Sequence, residues 1–268
     1  MKNKITKLYE KKDFNPEDLS IFNEFKAALM VGQIRAAEKI NGEWVVNEWV
    51  KKGILVGFRM GKIVEMPISK SKYFLDKETY PERNFRLDEN IRMVPGGSSV
   101  RAGSFIGENV VMMPPMYVNV GAYVDSGTMI DSHALVGSCA QIGKNVHLSA
   151  AAQIGGVLEP IGASPVIIED DVFIGGNSGI YEGVIIKQKA IIAPGVIITS
   201  GTPVFDAVNN CYLPKEDKKA VVIPENAVVV SGSRKLKSNP EFSVYCPIII
   251  KYRDKRSDSS VVLEESLR

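Results

Sequence analysis

The sequence predicts a mainly β protein: a parallel β-helix of hexapeptide repeats, with a helix-rich domain before it and a small extension after it. Three observations carry this. Every sixth residue from Val94 through Val100, Ile106, Met112, Val118, Val124, Ile130, Val136, Ile142 and Leu148 to Ile154 is aliphatic or Met. The residue four places after such an anchor is usually small, as at Ser98, Ser104, Ala122, Thr128, Ala134, Ala140 and Ala152. Gly or Asp often follows the anchor directly, as at Gly107, Asp125, Asp131, Gly137, Gly143 and Gly155. An α-helix cannot keep residues six apart on one face, and a flat strand requires strict alternation. A coil with three short flat sides and about eighteen residues per turn satisfies the pattern.

The elements follow in chain order. Residues 1–93 form the helix-rich domain. Asn15, Pro16, Glu17 and Asp18 read as a helix start, with Asn as N-cap and Pro in the first turn. Leu19, Phe22, Phe25, Ala28 and Leu29 then make one apolar stripe. Gly32 ends or interrupts this helix, and GQIRAAEKI is read as its restart. Asn41-Gly42 is a turn signal, and WVVNEWVKKGILVGF reads as a second helix ending near Gly57 or as a helix running into a strand. Residues 94–233 form the repeat. Its phase slips by two residues across EPIGASPV, resumes at Ile168, Ile174, Ile180, Ile186, Ile192, Ile198 and Val204, and returns at Ile223 and Val229 after a longer excursion. Residues 234–268 are expected to form a strand and helix extension.

Composition narrows the function classes. Lys+Arg 33 against Asp+Glu 31 argues against a protein built to neutralise a nucleic-acid backbone. No apolar run approaches a membrane span, and the N-terminus lacks an apolar core of signal-peptide length. Cys139, Cys211 and Cys246 are odd in number and form no CxxC pair, so neither a disulfide framework nor a zinc ribbon is expected. The expectation is a reduced, cytoplasmic protein that binds neither nucleic acid nor membrane and carries no metal.

The run YVNVGAYVDSGTMIDSHALVGSCAQIGKNVHLSAAAQIGGVLEP, with RAAEK at 35–39, NIRMVP at 90–95, IIEDDVFIG, and VVSGS followed by VYC, resembles the tetrahydrodipicolinate N-succinyltransferase family. The likeness covers most of the chain and is weakest in the first thirty and last fifteen residues. It implies a left-handed β-helix and a homotrimer with active sites between subunits. It also implies transfer of a succinyl group from succinyl-CoA to the amine of ring-opened tetrahydrodipicolinate, in the diaminopimelate route to lysine. Succinyl-CoA is then a co-substrate, with no cofactor bound permanently. Attack of an amine on a thioester requires positioning, donors for a developing oxyanion and a base for the amine proton.

Acceptor and donor both carry carboxylates, so arginines should converge on the site, and RNFRLDENIRMVP supplies Arg83, Arg86 and Arg92. The resemblance makes Arg92 and Asp131 substrate-binding and Asp131 the proposed base. By spacing alone, Asp131 is equally a corner residue, as Asp125 is. The resemblance also places a partner glutamate where this chain has Gly179, in GGNSGIYEGV. Glu182, the later glutamate of that element, is the remaining candidate for the second catalytic carboxylate. No residue is assigned to coenzyme A; Arg234, Lys235 and Lys237 suit its phosphates, or form a solvated loop.

His133 and His147 are read as packing or interface residues before they are read as bases, and Cys139 as structural. Three alternatives stay open. One is a related CoA-dependent N-acyltransferase with an acetyl donor or a different amino-acid-like acceptor. Another is a β-helical zinc enzyme of the γ-carbonic anhydrase type, which needs three histidines where this chain has two. The last is a non-catalytic scaffold.

Overall fold

A computed structural model describes residues 1–69, 72–214 and 221–253. The N-terminal part holds α1 (Lys2–Glu10), α2 (Pro16–Met30), β1 (Ala37–Ile40), β2 (Glu43–Val46), α3 (Glu48–Met60), β3 (Ile63–Ser69) and β4 (Lys72–Lys77). The expected start of α2 is present. Asn15 Oδ1 accepts from the Asp18 N–H at 2.9 Å, and Asp18 Oδ2 accepts from the Asn15 N–H at 3.0 Å, a reciprocal capping box. Phe22, Phe25 and Leu29 bury the stripe against Ile5 and Leu8 of α1 and Val50 and Ile54 of α3. Leu19, expected on that stripe, faces solvent instead.

GQIRAAEKI does not restart the helix. Its second half becomes β1, paired with β2 from Ala37↔Val46 to Ile40↔Glu43. The two-residue loop between them is Asn41-Gly42, with φ of 51° and 85°, the geometry that matches a loop to hairpin twist. The segment WVVNEWVKKGILVGF therefore splits: WVV lies in β2, and α3 begins after Asn47 and runs past Gly57 to Met60.

Beyond residue 90 the chain winds into a left-handed β-helix of two-residue strands. Register pairs Val118 with Val136 and Val136 with Ile154, a step of eighteen residues. Three parallel faces result. They are the Ser99 face, the Phe105 face and the Val111 face, the last of which begins one rung earlier, at Arg92. The anchors Val100, Ile106, Met112, Val118, Val124, Ile130, Val136, Ile142, Leu148 and Ile154 all point inward and are buried in one continuous core. The first expected anchor is displaced by one, because Met93 rather than Val94 stacks on Met112. The small residues before each anchor are also buried. Where they are polar they bond to backbone, as Thr128 Oγ1 does to Gly143 O at 2.9 Å and Ser178 Oγ to Ala193 O at 2.9 Å.

The corners share a conformation. The third residue after an anchor has positive φ at Asn109, His133, Cys139, Asn145, Ala151, Asp171, Asn177 and Lys189, and Gly fills the same place at 103, 121, 127, 183 and 195. Two excursions, after Ile154 and after Ile198, leave from one corner, between the Ser99 and Phe105 faces.

The N-terminal part covers the Phe105 face. Lys39 Nζ and Trp44 Nε1 both donate to Glu169 Oε1 at 2.9 Å. The buried Lys51 donates to Ala163 O at 2.6 Å, which ties α3 to the first excursion. At the other end the chain forms the strands Ala227–Val230, Ser233–Leu236, Asn239–Tyr245 and Ile248–Tyr252. The described part of the extension, to residue 253, is entirely strand and loop. The rest of it, where a helix was expected, lies outside the described residues.

Candidate active site

Asp131 follows anchor Ile130 at the corner between the Val111 and Ser99 faces, where its N–H donates to Leu148 O at 2.9 Å. Its Oδ1 accepts the Ser132 N–H at 2.7 Å. That is the turn contact expected of a corner aspartate, and Asp125 makes the same one with Ser126 at 2.8 Å. Asp131 Oδ2 has no hydrogen-bond partner among the described residues. The two readings of this residue are therefore compatible: one oxygen closes the corner and the other is available.

Arg92 occupies the outward position on the first rung of the Val111 face and is exposed. The column beneath it runs Val111, Met129, His147 and Phe173. Arg92 thus stands two rungs, about 10 Å, above Met129, which lies two residues before Asp131. The neighbouring arginines are engaged elsewhere. Arg83 is buried, donates to Ser104 O at 3.0 Å and to Glu89 Oε2 at 2.6 Å, and lies over Phe85. Arg86 pairs with Asp88 at 2.9 Å on the surface.

Glu182 sits on a different corner, between the Ser99 and Phe105 faces. It is exposed, and its Oε2 accepts from Ser200 Oγ at 2.6 Å and the Ser200 N–H at 3.2 Å. One chain therefore does not bring Glu182 and Asp131 together. Gly179 faces outward on the Ser99 face between Gln153 and Ile197, with the Tyr181 ring folded over it.

The remaining candidates are placed as follows. His147 faces outward, half-buried, with its ring 5.0 Å from that of Phe173 in an edge contact. His133 is an exposed corner residue whose carbonyl accepts from Gln153 Nε2 at 3.1 Å. Cys139 is fully buried at a corner against Gly121 and Ile54, and burial pushes its thiol up to about 12, which suppresses the thiolate a nucleophile needs. Arg234 and Lys235 lie on the C-terminal hairpin and Lys237 at its turn, with both lysines exposed.

Two clefts line corners between the Phe105 and Val111 faces. One of about 210 Å³ lies beside Arg35, Trp44, Asp125 and Asp170, and another of about 350 Å³ beside Asn109, Ser126, Lys144 and Asn145. Neither includes Arg92, Asp131 or Glu182. Among the described residues, no group of three His, Cys, Asp or Glu side chains is close enough to hold a metal ion. No helix among them is long and apolar enough to cross a membrane.

The family profile for the tetrahydrodipicolinate N-succinyltransferase N-terminal region matches residues 1–60, and that for the hexapeptide repeat of succinyl-transferase matches residues 165–200. The chain is 49% identical over 247 residues to the 2,3,4,5-tetrahydropyridine-2,6-dicarboxylate N-succinyltransferase of Nitrosomonas europaea, covering 90% of this chain and 86% of that one. It is 47% identical over 246 residues to that of Aromatoleum aromaticum, with the same coverage. It is 46% identical over 251 residues to that of Escherichia coli O157:H7, covering 92% and 88%. The chain belongs to the tetrahydrodipicolinate N-succinyltransferase family.

Proposed function

We propose that this chain transfers the succinyl group of succinyl-CoA to the amine of ring-opened tetrahydrodipicolinate, a step of lysine biosynthesis through diaminopimelate. The observation that carries the reading is a likeness of 46–49% identity over about nine-tenths of the chain to enzymes named for this transfer.

The chemistry follows from the residues. The acceptor amine attacks the thioester carbonyl, and Asp131 Oδ2, unused by the corner, accepts the amine proton. The tetrahedral oxyanion collapses, the C–S bond breaks, and the coenzyme A thiolate leaves and takes up a proton. Arg92 binds a substrate carboxylate, for which a guanidinium has matched paired donors. A base in place contributes about 10²–10⁴-fold. Positioning of the two substrates supplies much of the remainder.

In this proposal the enzyme is a cytoplasmic homotrimer, and a neighbouring copy brings Glu182 toward Asp131. Placement on separate corners within one chain favours that arrangement. The test is a steady-state assay that follows release of the coenzyme A thiol with tetrahydrodipicolinate as acceptor. Turnover with succinyl-CoA, faster than with acetyl-CoA, is expected. A preference for acetyl-CoA, or no acceptor-dependent thiol release, removes the reading.

A further inference from the structure

We infer that Tyr181 is a substrate-contacting residue whose hydroxyl donates a hydrogen bond to a carboxylate oxygen of the bound substrates. The inference rests on the acyl-transfer reading above. On the Ser99 face the outward residues of three successive rungs are Gln153, Gly179 and Ile197, so the middle rung is bare backbone. Tyr181, at the corner just beyond, turns its ring back into that gap. A Cβ at Gly179 would stand 2.8 Å from Tyr181 Cζ and 2.8 Å from its Oη, so the phenol head occupies the space of a side chain at 179. The other end of the ring rests on the preceding coil, where a Cβ at Gly155 would stand 2.8 Å from Cδ1. Two glycines one rung apart therefore form a seat for this ring.

The ring is held and its hydroxyl is not. Tyr80 donates to Ile54 O at 2.8 Å, Tyr252 donates to Asp206 Oδ2 at 2.7 Å, and Tyr245 accepts the Ile197 N–H at 2.7 Å. Tyr181 Oη has no hydrogen-bond partner among the described residues, and the side chain is half-exposed. The nearest carboxylate along the chain, Glu182, is engaged with Ser200. A fixed, unpaired O–H on a strip of bare backbone suits an anionic oxygen brought by a ligand. In this reaction both substrates carry such oxygens: the succinyl group has one carboxylate and the acceptor two.

Tyr181→Phe keeps the ring in its seat and removes only the hydroxyl. The expected result is an unchanged melting temperature with kcat/KM lowered about tenfold or more, as for loss of a hydrogen bond to a charged group. The source of the carboxylate is read from the same data. Contact with the succinyl group raises KM for succinyl-CoA and narrows its preference over acetyl-CoA. Contact with the acceptor raises the acceptor KM and leaves the donor preference intact. An active wild type with kcat/KM in Tyr181→Phe within twofold of its own overturns this inference alone. A wild type that turns over neither donor overturns the acyl-transfer reading, and this inference with it.

Discussion

The Arg35 guanidinium lies 3.7 Å over the ring of Tyr123, while its Nε–H donates to Gln141 Oε1 at 2.8 Å. Arg35 is at the end of the N-terminal segment before β1, and Tyr123 and Gln141 are outward residues on adjacent rungs of the Phe105 face. This one side chain therefore fastens the helical part to the prism. Arg35→Ala removes the cation–π contact and leaves the amide oxygen of buried Gln141 without its donor. A loss of about 1–3 kcal/mol is expected, which lowers the melting temperature by several degrees. An unchanged thermal melt would show that the domains dock without it.

Asp131→Asn separates the two tasks of that residue. The amide oxygen still accepts the Ser132 N–H and closes the corner, but nothing remains to take a proton. Turnover should fall by about 10²–10⁴-fold with the melting temperature within a degree or so of wild type. Activity retained near the wild-type level would take Asp131 out of the chemistry.

If Glu182 works with the Asp131 of a neighbouring copy, neither residue acts alone. Glu182→Gln keeps the Ser200 contact and should still lower kcat. Co-expression of inactive Asp131→Asn and Glu182→Gln chains should restore part of the activity, because mixed assemblies contain some sites with both carboxylates. Light scattering should give a mass near three chains, and a monomer at assay concentration would rule out the shared site.

Glu169 makes docking sensitive to acid. Burial alone would raise its pKa, but the bonds from Lys39, Trp44 and the Gln188 N–H outweigh burial and hold it below the ordinary value of 4.5. A folded-state pKa below the unfolded value means that the ionised group stabilises the fold above about pH 4.5. That contribution is lost as pH falls through the lowered folded value. The stability gap between wild type and Glu169→Gln should be open at pH 7 and close in this acid range. A gap that stays constant down to pH 3 contradicts the assignment.

The thiols should divide by burial. Cys139 and Cys246 are buried with raised pKa values, and Cys211 is exposed. A disulfide reagent at pH 8 should label one thiol per native chain quickly and all three after denaturation. Rapid native labelling of Cys139 would show that the interface of α3 with the prism opens.

Much of this fold was legible because the period of six has no competing explanation. Residues such as Ile130 and Leu148 face inward for the same steric reason on every coil. The positive-φ corner three places later was only partly visible. Asn109 and Asn145 suit that conformation, while Cys139, Ala151 and Lys189 do not advertise it. The hairpin at 37–46 was hidden because Ala37, Glu38 and Lys39 are good helix formers. What holds them as a strand is pairing with β2 across the Asn41-Gly42 turn, joined by the bond from Lys39 to Glu169, a contact 130 residues away. Asp131 stood out through the motif around it, but the division of labour between its two oxygens is a matter of coordinates. The reach of Tyr181 back over Gly179 has no sequence signature at all, since it depends on which way a ring turns at a corner.

Both excursions from the repeat leave along the same edge of the prism, and Tyr181 and Glu182 lie on that edge between them. Insertion at a corner leaves the ladders of all three faces intact, so this edge is where the solenoid tolerates added length at little cost. Further length inserted along this seam should therefore leave the prism and its melting temperature largely unchanged while altering the surroundings of Tyr181 and Glu182.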